Sequence, residues 1–100
     1  MKLYQVSSIS YDGLDDFLND EITEPTTSYD KAREQFDQMR QSALNTADED
    51  LSDEIDPAED FMDYVSIDET DGFFKISYNR NGSDVVIQNE LRTWDIAMLN

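Results

Sequence analysis

The sequence predicts a single α+β domain over residues 1–100, with helices packed on one face of an antiparallel sheet. Two periodicities support this fold class. Apolar residues recur every three or four positions in residues 28–44, which indicates an amphipathic helix, and they alternate in the last third of the chain, which indicates strands. Leu, Ile, Val and Phe together number 23, above the level at which a charged chain of 100 residues is expected to stay disordered.

The first elements are a strand and a short helix. Residues 2–9 mix β-branched, aromatic and polar side chains, which is typical of a strand, and Asp12-Gly13 then marks a turn. Residues 14–18 carry Leu, Phe and Leu at helical spacing, which predicts a short helix or a single turn. The sheet is therefore expected to contain an N-terminal strand.

The clearest element is a helix over residues 28–44. Its apolar side chains step by three and four positions and form one stripe, made of Tyr29, Ala32, Phe36, Met39 and Ala43. Ser28 supplies a hydroxyl for the N-cap, and Asp30 in the first turn is favourable for the helix dipole. We expect Asn45-Thr46 to end this helix and the stripe to cover the sheet.

Residues 48–63, here called the acidic segment, hold nine carboxylates in sixteen positions and no Lys or Arg. The nine are Asp48, Glu49, Asp50, Asp53, Glu54, Asp56, Glu59, Asp60 and Asp63. Asp56 before Pro57 has the chemistry of a helix start, which predicts a short helix over residues 57–63, while residues 48–54 are either a loop or a separate helical turn. If the segment were helical, one side of it would be apolar, formed by Leu51, Ile55, Ala58 and Met62.

The final third of the chain predicts a three-stranded antiparallel meander. Its strands and turns are expected in the order residues 64–67, Asp71-Gly72, residues 73–78, Asn81-Gly82, and residues 85 to about 91. Asn-Gly is a strong hairpin signal, because a type I′ turn requires positive φ at both central residues. The tail over residues 93–100 is either a further edge strand or a short helix. The full prediction is thus an N-terminal strand, one or two helices plus an acidic helical segment, and the meander.

Several classes of site are excluded by composition. The absence of Cys and His removes disulfides, Cys-based zinc sites and the side chain used most often for acid–base catalysis near neutral pH. Neither Gly72 nor Gly82 has the ligand spacing of an EF-hand around it.

The first ten residues lack the apolar stretch of a signal peptide, and no run is long enough to span a membrane. We expect no catalytic residue, metal or cofactor, no membrane binding and a cytoplasmic location; a small hydrolase or metal binder is the least favoured alternative.

The charge points to a cationic partner. With 24 acidic and 7 dispersed basic residues, and a net charge of −17, direct DNA or RNA binding is not expected. A helical acidic segment would carry about one charge per 2.7 Å, against about one per 1.7 Å of duplex DNA. The segment is therefore predicted to bind a basic nucleic-acid-binding protein. A second cluster is expected to contribute to that contact, formed by Asp12, Asp15, Asp16, Asp20, Glu21 and Glu24.

In size, acidity, lack of Cys and His, and α+β pattern, the chain resembles the phage-encoded inhibitors of host defence that mimic DNA, of the anti-CRISPR and anti-restriction types. The resemblance covers the whole chain but matches no family motif. It implies a stoichiometric, non-enzymatic inhibitor that occupies the basic DNA-binding channel of a CRISPR effector or restriction nuclease in the host cytoplasm. The alternative is a regulatory module that binds its partner through an apolar surface, for example around Trp94 or at an edge strand, with the charge serving solubility.

Overall fold

The structure, a computed structural model, describes residues 1–13 and 19–95. Five strands form one antiparallel sheet in the order β2-β1-β5-β4-β3, and one long helix packs on it. The elements are β1 (Lys2–Asp12), β2 (Asn19–Ile22), α1 (Tyr29–Leu51), a 3₁₀ helix (Phe61–Tyr64), β3 (Val65–Thr70), β4 (Phe73–Arg80) and β5 (Ser83–Asp95).

The predicted layout of one or two helices, an acidic helical segment and a three-stranded meander was wrong. The described chain has a single α-helix and a five-stranded sheet. β1 pairs with β5 over eleven residues, from Lys2 opposite Asp95 to Asp12 opposite Val85. Backbone hydrogen bonds between the two strands stabilise both of them even at polar residues, whose own β-propensity is low.

Two further differences concern β2 and the C-terminal end of β5. β2 was not predicted, because its sequence NDEI contains one apolar residue and no alternation. Thr93 to Asp95 belong to β5, which settles that part of the tail as strand. The predicted helix at residues 14–18 and the rest of the tail, residues 96–100, lie outside the described residues.

α1 continues seven residues beyond the predicted end at Leu44. Ala43, Ala47 and Leu51 follow one another at intervals of four and are all buried, so the apolar stripe simply extends. At the start of the helix the Ser28 hydroxyl accepts a hydrogen bond from the Lys31 amide at 3.2 Å, as the N-cap prediction requires. The prediction that Asn45-Thr46 end the helix was wrong, since in the structure both residues are helical and lie on its exposed side.

The core lies between α1 and one side of the sheet. Phe36 from the helix and Phe74 and Ile76 from β4 have almost no exposed surface. Arg40 lies with its guanidinium 5.0 Å from the centre of the Phe74 ring and bonds Glu69 at 2.9 Å. This hydrogen bond holds the pKa of the Glu69 carboxyl below its usual value. Helix α1 is therefore attached to the sheet both by apolar packing and by an ion pair to β3.

Candidate functional site

The acidic segment runs from the last turn of α1, through a loop at residues 52–60, to the 3₁₀ helix. Asp48, Glu49 and Asp50 lie in the helix and Asp63 in the 3₁₀ helix. The loop carries Asp53, Glu54, Asp56, Glu59 and Asp60. All but Asp50 are exposed. The segment is thus a compact acidic surface and not one extended helix, so the charge spacing calculated for a helix does not describe it.

The carboxylates at the C-terminal end of α1 interact unfavourably with the helix dipole. The C-terminus of a helix carries a partial negative charge, so each exposed acid there costs about 0.3–1 kcal/mol. No basic residue occupies the last turn of α1. Asp48 and Glu49 consequently reduce the stability of the element that carries them. Natural proteins accept such local conflicts mainly at functional positions.

Apolar anchors hold the acidic segment against the core. Leu51 is 2 % exposed, and Ile55 and Phe61 pack against the core cluster. The predicted apolar side is only partly realised, since Ala58 and Met62 are exposed. Contacts at Leu51, Ile55 and Phe61 therefore fix the position of residues 51–61 relative to the core.

Two aspartates of the segment shape the loop itself, and they also explain why the helix predicted over residues 57–63 was wrong. The Asp56 carboxylate accepts from the Ala58 amide, and the Asp60 carboxylate accepts from the Met62 amide, both at 3.0 Å. Each aspartate thus starts its own short turn, as Asp side chains commonly do. The chain forms two successive turns where one helix was predicted, and the 3₁₀ helix begins only at Phe61.

The β4–β5 hairpin fixes the segment from the other side. The Asn81 amide donates to the Glu54 carboxylate at 2.7 Å, and Arg80 lies 3.4 Å from the Asp50 carboxylate. The Tyr78 hydroxyl donates to the same Asp50 carboxylate. Burial and this hydrogen bond raise the pKa of Tyr78 above its usual value. Asp50 is therefore an internal anchor of the segment as well as one of its charges.

Tyr78→Phe is expected to lower the free energy of unfolding by about 1–3 kcal/mol, because the Asp50 carboxylate loses a donor in a partly buried position. Urea denaturation measures this change. Tyr64→Phe is the matched control: its hydroxyl donates to Glu59 at the exposed surface, so its removal should cost less than about 0.5 kcal/mol. Equal losses in the two variants would show that the contact between Tyr78 and Asp50 does not anchor the segment.

Very little of the negative charge is neutralised within the described chain. Asp50 is the one member of the acidic segment in an ion pair there, and the other ion pairs of Arg33, Arg40 and Arg92 involve acids outside the segment. Hydrogen bonds from uncharged groups reach Glu54, Asp56, Glu59 and Asp60. No hydrogen bond or ion pair from the described chain reaches the side-chain carboxylates of Asp48, Glu49, Asp53 and Asp63.

A cleft of about 290 Å³ lies between the end of α1 and the loop. Apolar and acidic residues both line it: Leu51, Ile55, Pro57 and Phe61 on the one hand, and Asp48, Asp56 and Glu59 on the other. Long cationic side chains commonly pack an aliphatic stem on apolar surface while the charged head bonds carboxylates. The cleft therefore has the chemistry to accept an Arg or Lys side chain.

The structure places one member of the second predicted cluster on β1. The Asp12 carboxylate, at the end of β1, accepts a hydrogen bond from the Ser83 hydroxyl at the start of β5. Its charge also contributes to the raised pKa of Tyr78, together with that of Asp50. In the sheet Asp12 lies opposite Val85, which lies opposite Tyr78, so Asp12 is two strands away from the residue whose hydroxyl binds Asp50.

The other members of that cluster lie elsewhere. Asp20 and Glu21 are exposed on β2, which forms the opposite edge of the sheet from β3, and successive side chains there point to opposite faces. Glu24 is exposed in the connection to α1. Asp15 and Asp16 lie outside the described residues. The structure thus does not assemble the six residues into one surface.

Sequence reasoning missed the residues that position the acidic segment. Asn81 was predicted only as a turn residue and Tyr78 only as the last residue of a strand, and Arg80 was given no role. Their spacing from Asp50 and Glu54 is nearly thirty residues, so no local pattern connects them. The one available signal was the hairpin itself, since an Asn-Gly turn presents backbone donors at the tip of a two-stranded ribbon.

Comparisons with known proteins do not add a function. No protein-family model matches the chain, and no curated protein or solved structure is significantly similar to it. Within residues 1–13 and 19–95 no three acidic side chains converge as metal ligands would. No helix in those ranges has the length and apolar character needed to cross a membrane. The geometry of the acidic segment is therefore the main guide to function.

Proposed function

We propose that this protein is a non-enzymatic inhibitor of a host defence nuclease, either a CRISPR effector or a restriction enzyme. It binds the basic nucleic-acid-binding surface of that nuclease, and its carboxylates take the place of DNA phosphates. One observation carries the proposal: eight of the nine carboxylates in the acidic segment are exposed, and none of those eight is paired with a basic residue of the described chain. Such an inhibitor acts in the cytoplasm of the host cell.

The anchoring of the segment supports this function over a purely solubilising role. Binding costs free energy whenever a flexible loop must be ordered, and a loop already held in place avoids part of that cost. Here Leu51, Ile55 and Phe61 pack inward while the carboxylates between them face solvent. Solubility alone requires neither fixed positions nor charges placed against a helix dipole.

The expected contacts follow from the chemistry of carboxylates. Arg and Lys side chains of the partner form charge-assisted hydrogen bonds with them, and one such side chain enters the cleft beside Phe61. Because the two surfaces have opposite charge, association is fast at low salt and slows as salt screens the attraction. Strong salt dependence is thus part of the proposal.

Capture from a bacterial lysate tests this function. The full chain is immobilised, lysate is applied at low ionic strength, and retained proteins are eluted with duplex DNA at constant ionic strength. We expect a cationic nucleic-acid-binding protein to be retained and then released by the DNA. If no such protein is retained, or if DNA fails to release it, the proposed function is wrong.

A further inference from the structure

The tip of the β4–β5 hairpin holds a pair of residues that can react with each other. Asn81 is the one Asn in the sequence that is followed by Gly. Both residues are exposed, with φ of 52° at Asn81 and 83° at Gly82. Apart from its two chain neighbours, no described residue comes within 4 Å of the position that a Cβ on Gly82 would take. The pair is therefore open to water.

An Asn side chain can be attacked by the backbone amide nitrogen of the residue that follows it. This nitrogen gives up its proton and bonds to Cγ of the Asn, and the side-chain nitrogen takes up a proton and leaves as ammonia. Water then opens the resulting succinimide ring at either carbonyl. The product is aspartate, or isoaspartate, in which the main chain runs through Cβ and Cγ. A following Gly allows the fastest attack, because it has no Cβ to hinder the approach.

The other Asn residues of the described chain are poorer sites for this reaction. Asn19, Asn45, Asn79 and Asn89 are each followed by a residue with a side chain. All four lie within a strand or a helix. Asn89 is in addition fully buried. Exposure and an unhindered nucleophile therefore coincide at Asn81.

Asn79 restrains the attacking atom in the folded protein. Its side-chain carbonyl accepts a hydrogen bond from the Gly82 amide at 3.0 Å. Its side-chain NH₂ group donates to the Asp84 carboxylate at 3.3 Å, which fixes the orientation of the Asn79 side chain. Because the Gly82 nitrogen is the nucleophile, its hydrogen bond to Asn79 must break before the ring forms. The hairpin thus contains both the reactive pair and its restraint.

Conversion of Asn81 alters a contact that holds the acidic segment. The Asn81 backbone amide donates to the Glu54 carboxylate at 2.7 Å. Either product adds a carboxylate to the residue whose backbone binds Glu54, and two neighbouring carboxylates repel each other. Isoaspartate also lengthens the main chain of the two-residue loop, which does not fit the geometry of a type I′ turn. Both products therefore weaken the attachment of Glu54 to the hairpin.

We propose that Asn81 is a site of spontaneous deamidation, that Asn79 slows the reaction in the folded protein, and that conversion loosens Glu54. The modification changes one neutral side chain of the hairpin into an acid, beside the acidic segment. It requires water alone and no partner protein. The proposal does not depend on the proposed inhibitory function.

Incubation of the purified full chain at mildly alkaline pH tests the site. Ion-exchange chromatography counts the molecules that have gained a negative charge over time. Fragmentation mass spectrometry of the tryptic peptide that covers residues 81–92 shows which residue changed. We expect position 81 to be converted first, to a mixture of aspartate and isoaspartate. Earlier conversion at any other Asn would overturn the proposal.

Two substitutions test the restraint by Asn79. Asn79→Ala should accelerate deamidation of the folded chain roughly threefold to tenfold, the factor that an ordinary hydrogen bond represents. Asn79→Asp keeps an acceptor oxygen for the Gly82 amide and should stay close to the wild-type rate. In urea, where the hairpin is absent, Asn79→Ala and the wild type should react equally fast. A folded Asn79→Ala variant, verified by circular dichroism, that reacts no faster than the wild type would show that Asn79 does not restrain the reaction.

The effect on Glu54 is measured separately, with Asn81→Asp, which carries the aspartate product from the start. We expect this substitution to lower the urea midpoint, because the new charge repels the Glu54 carboxylate. Glu54→Gln keeps the acceptor oxygen without the charge, so Asn81→Asp should lower the midpoint less in that background. This pair of backgrounds isolates the contact between the two positions. Equal losses in both backgrounds would show that conversion does not act through Glu54.

Discussion

Replacing Asp48→Asn, Glu49→Gln and Asp53→Asn together is expected to stabilise the fold and weaken partner binding at the same time. Removing the two helical carboxylates relieves their conflict with the dipole of α1, which should raise the free energy of unfolding by about 0.6–2 kcal/mol. The same substitutions remove three charges that have no partner in the described chain. Binding to the captured partner should lose about 2–5 kcal/mol, or at least about thirtyfold in Kd. Urea denaturation and calorimetric titration measure the two effects.

A second triple variant separates position from net charge. Glu24→Gln, Asp30→Asn and Glu34→Gln change the charge by the same amount at exposed positions near the start of α1. Glu34 and Asp48 are fourteen residues apart in one helix, a distance of about 21 Å along its axis. Partner binding of this control should change less than about threefold, since distant exposed charges act weakly in salt. Equal losses for the two triple variants would show that total charge, and not the acidic segment, determines binding.

Leu51→Ala is expected to be the most destabilising of these changes. Leu51 is 2 % exposed at the end of α1, where it joins the helix to the loop. Truncating a buried Leu typically costs about 2–5 kcal/mol, through lost burial and the cavity left behind. Because Leu51 also lines the cleft between the helix and the loop, partner binding should weaken in the fraction that stays folded.

The matched control for Leu51→Ala is Met62→Ala, in the same segment. Met62 is 42 % exposed, so removing its side chain should cost less than about 1 kcal/mol. Both values come from urea denaturation, with the slope of the transition checked for two-state behaviour. If Leu51→Ala costs no more than Met62→Ala, the end of the helix is not packed against the core and the segment is not held in place.

Local chemistry predicted the turns and the start of the helix. Asn81 and Gly82 have φ of 52° and 83°, which is the geometry that the Asn-Gly pair favours. Ser28 caps α1 as expected. The end of α1 was missed because Asn45 and Thr46 have low helix propensity, whereas the burial of Ala47 and Leu51 decides the outcome. Tertiary packing commonly overrides propensity in this way.

The sheet could not be derived from local pattern. Its longest pairing joins β1 to β5 across most of the chain, and β2 has too few apolar residues to be recognised. The acidic segment was visible in the sequence as charge. The sequence did not indicate that Asp50 serves as an anchor, because that role depends on contacts with Tyr78 and Arg80 of β4. Charge can be counted from a sequence, but its pairing is a property of the fold.

The central claim is that this protein and DNA occupy the same surface of the partner. The most direct test is the anisotropy of a labelled DNA duplex bound to the captured nuclease, measured as the protein is added at constant ionic strength. Mimicry predicts that the DNA is displaced completely, with an apparent Kd for DNA that rises in proportion to the concentration of the protein. A ternary complex in which the nuclease holds both ligands, with its affinity for DNA unchanged, would contradict it.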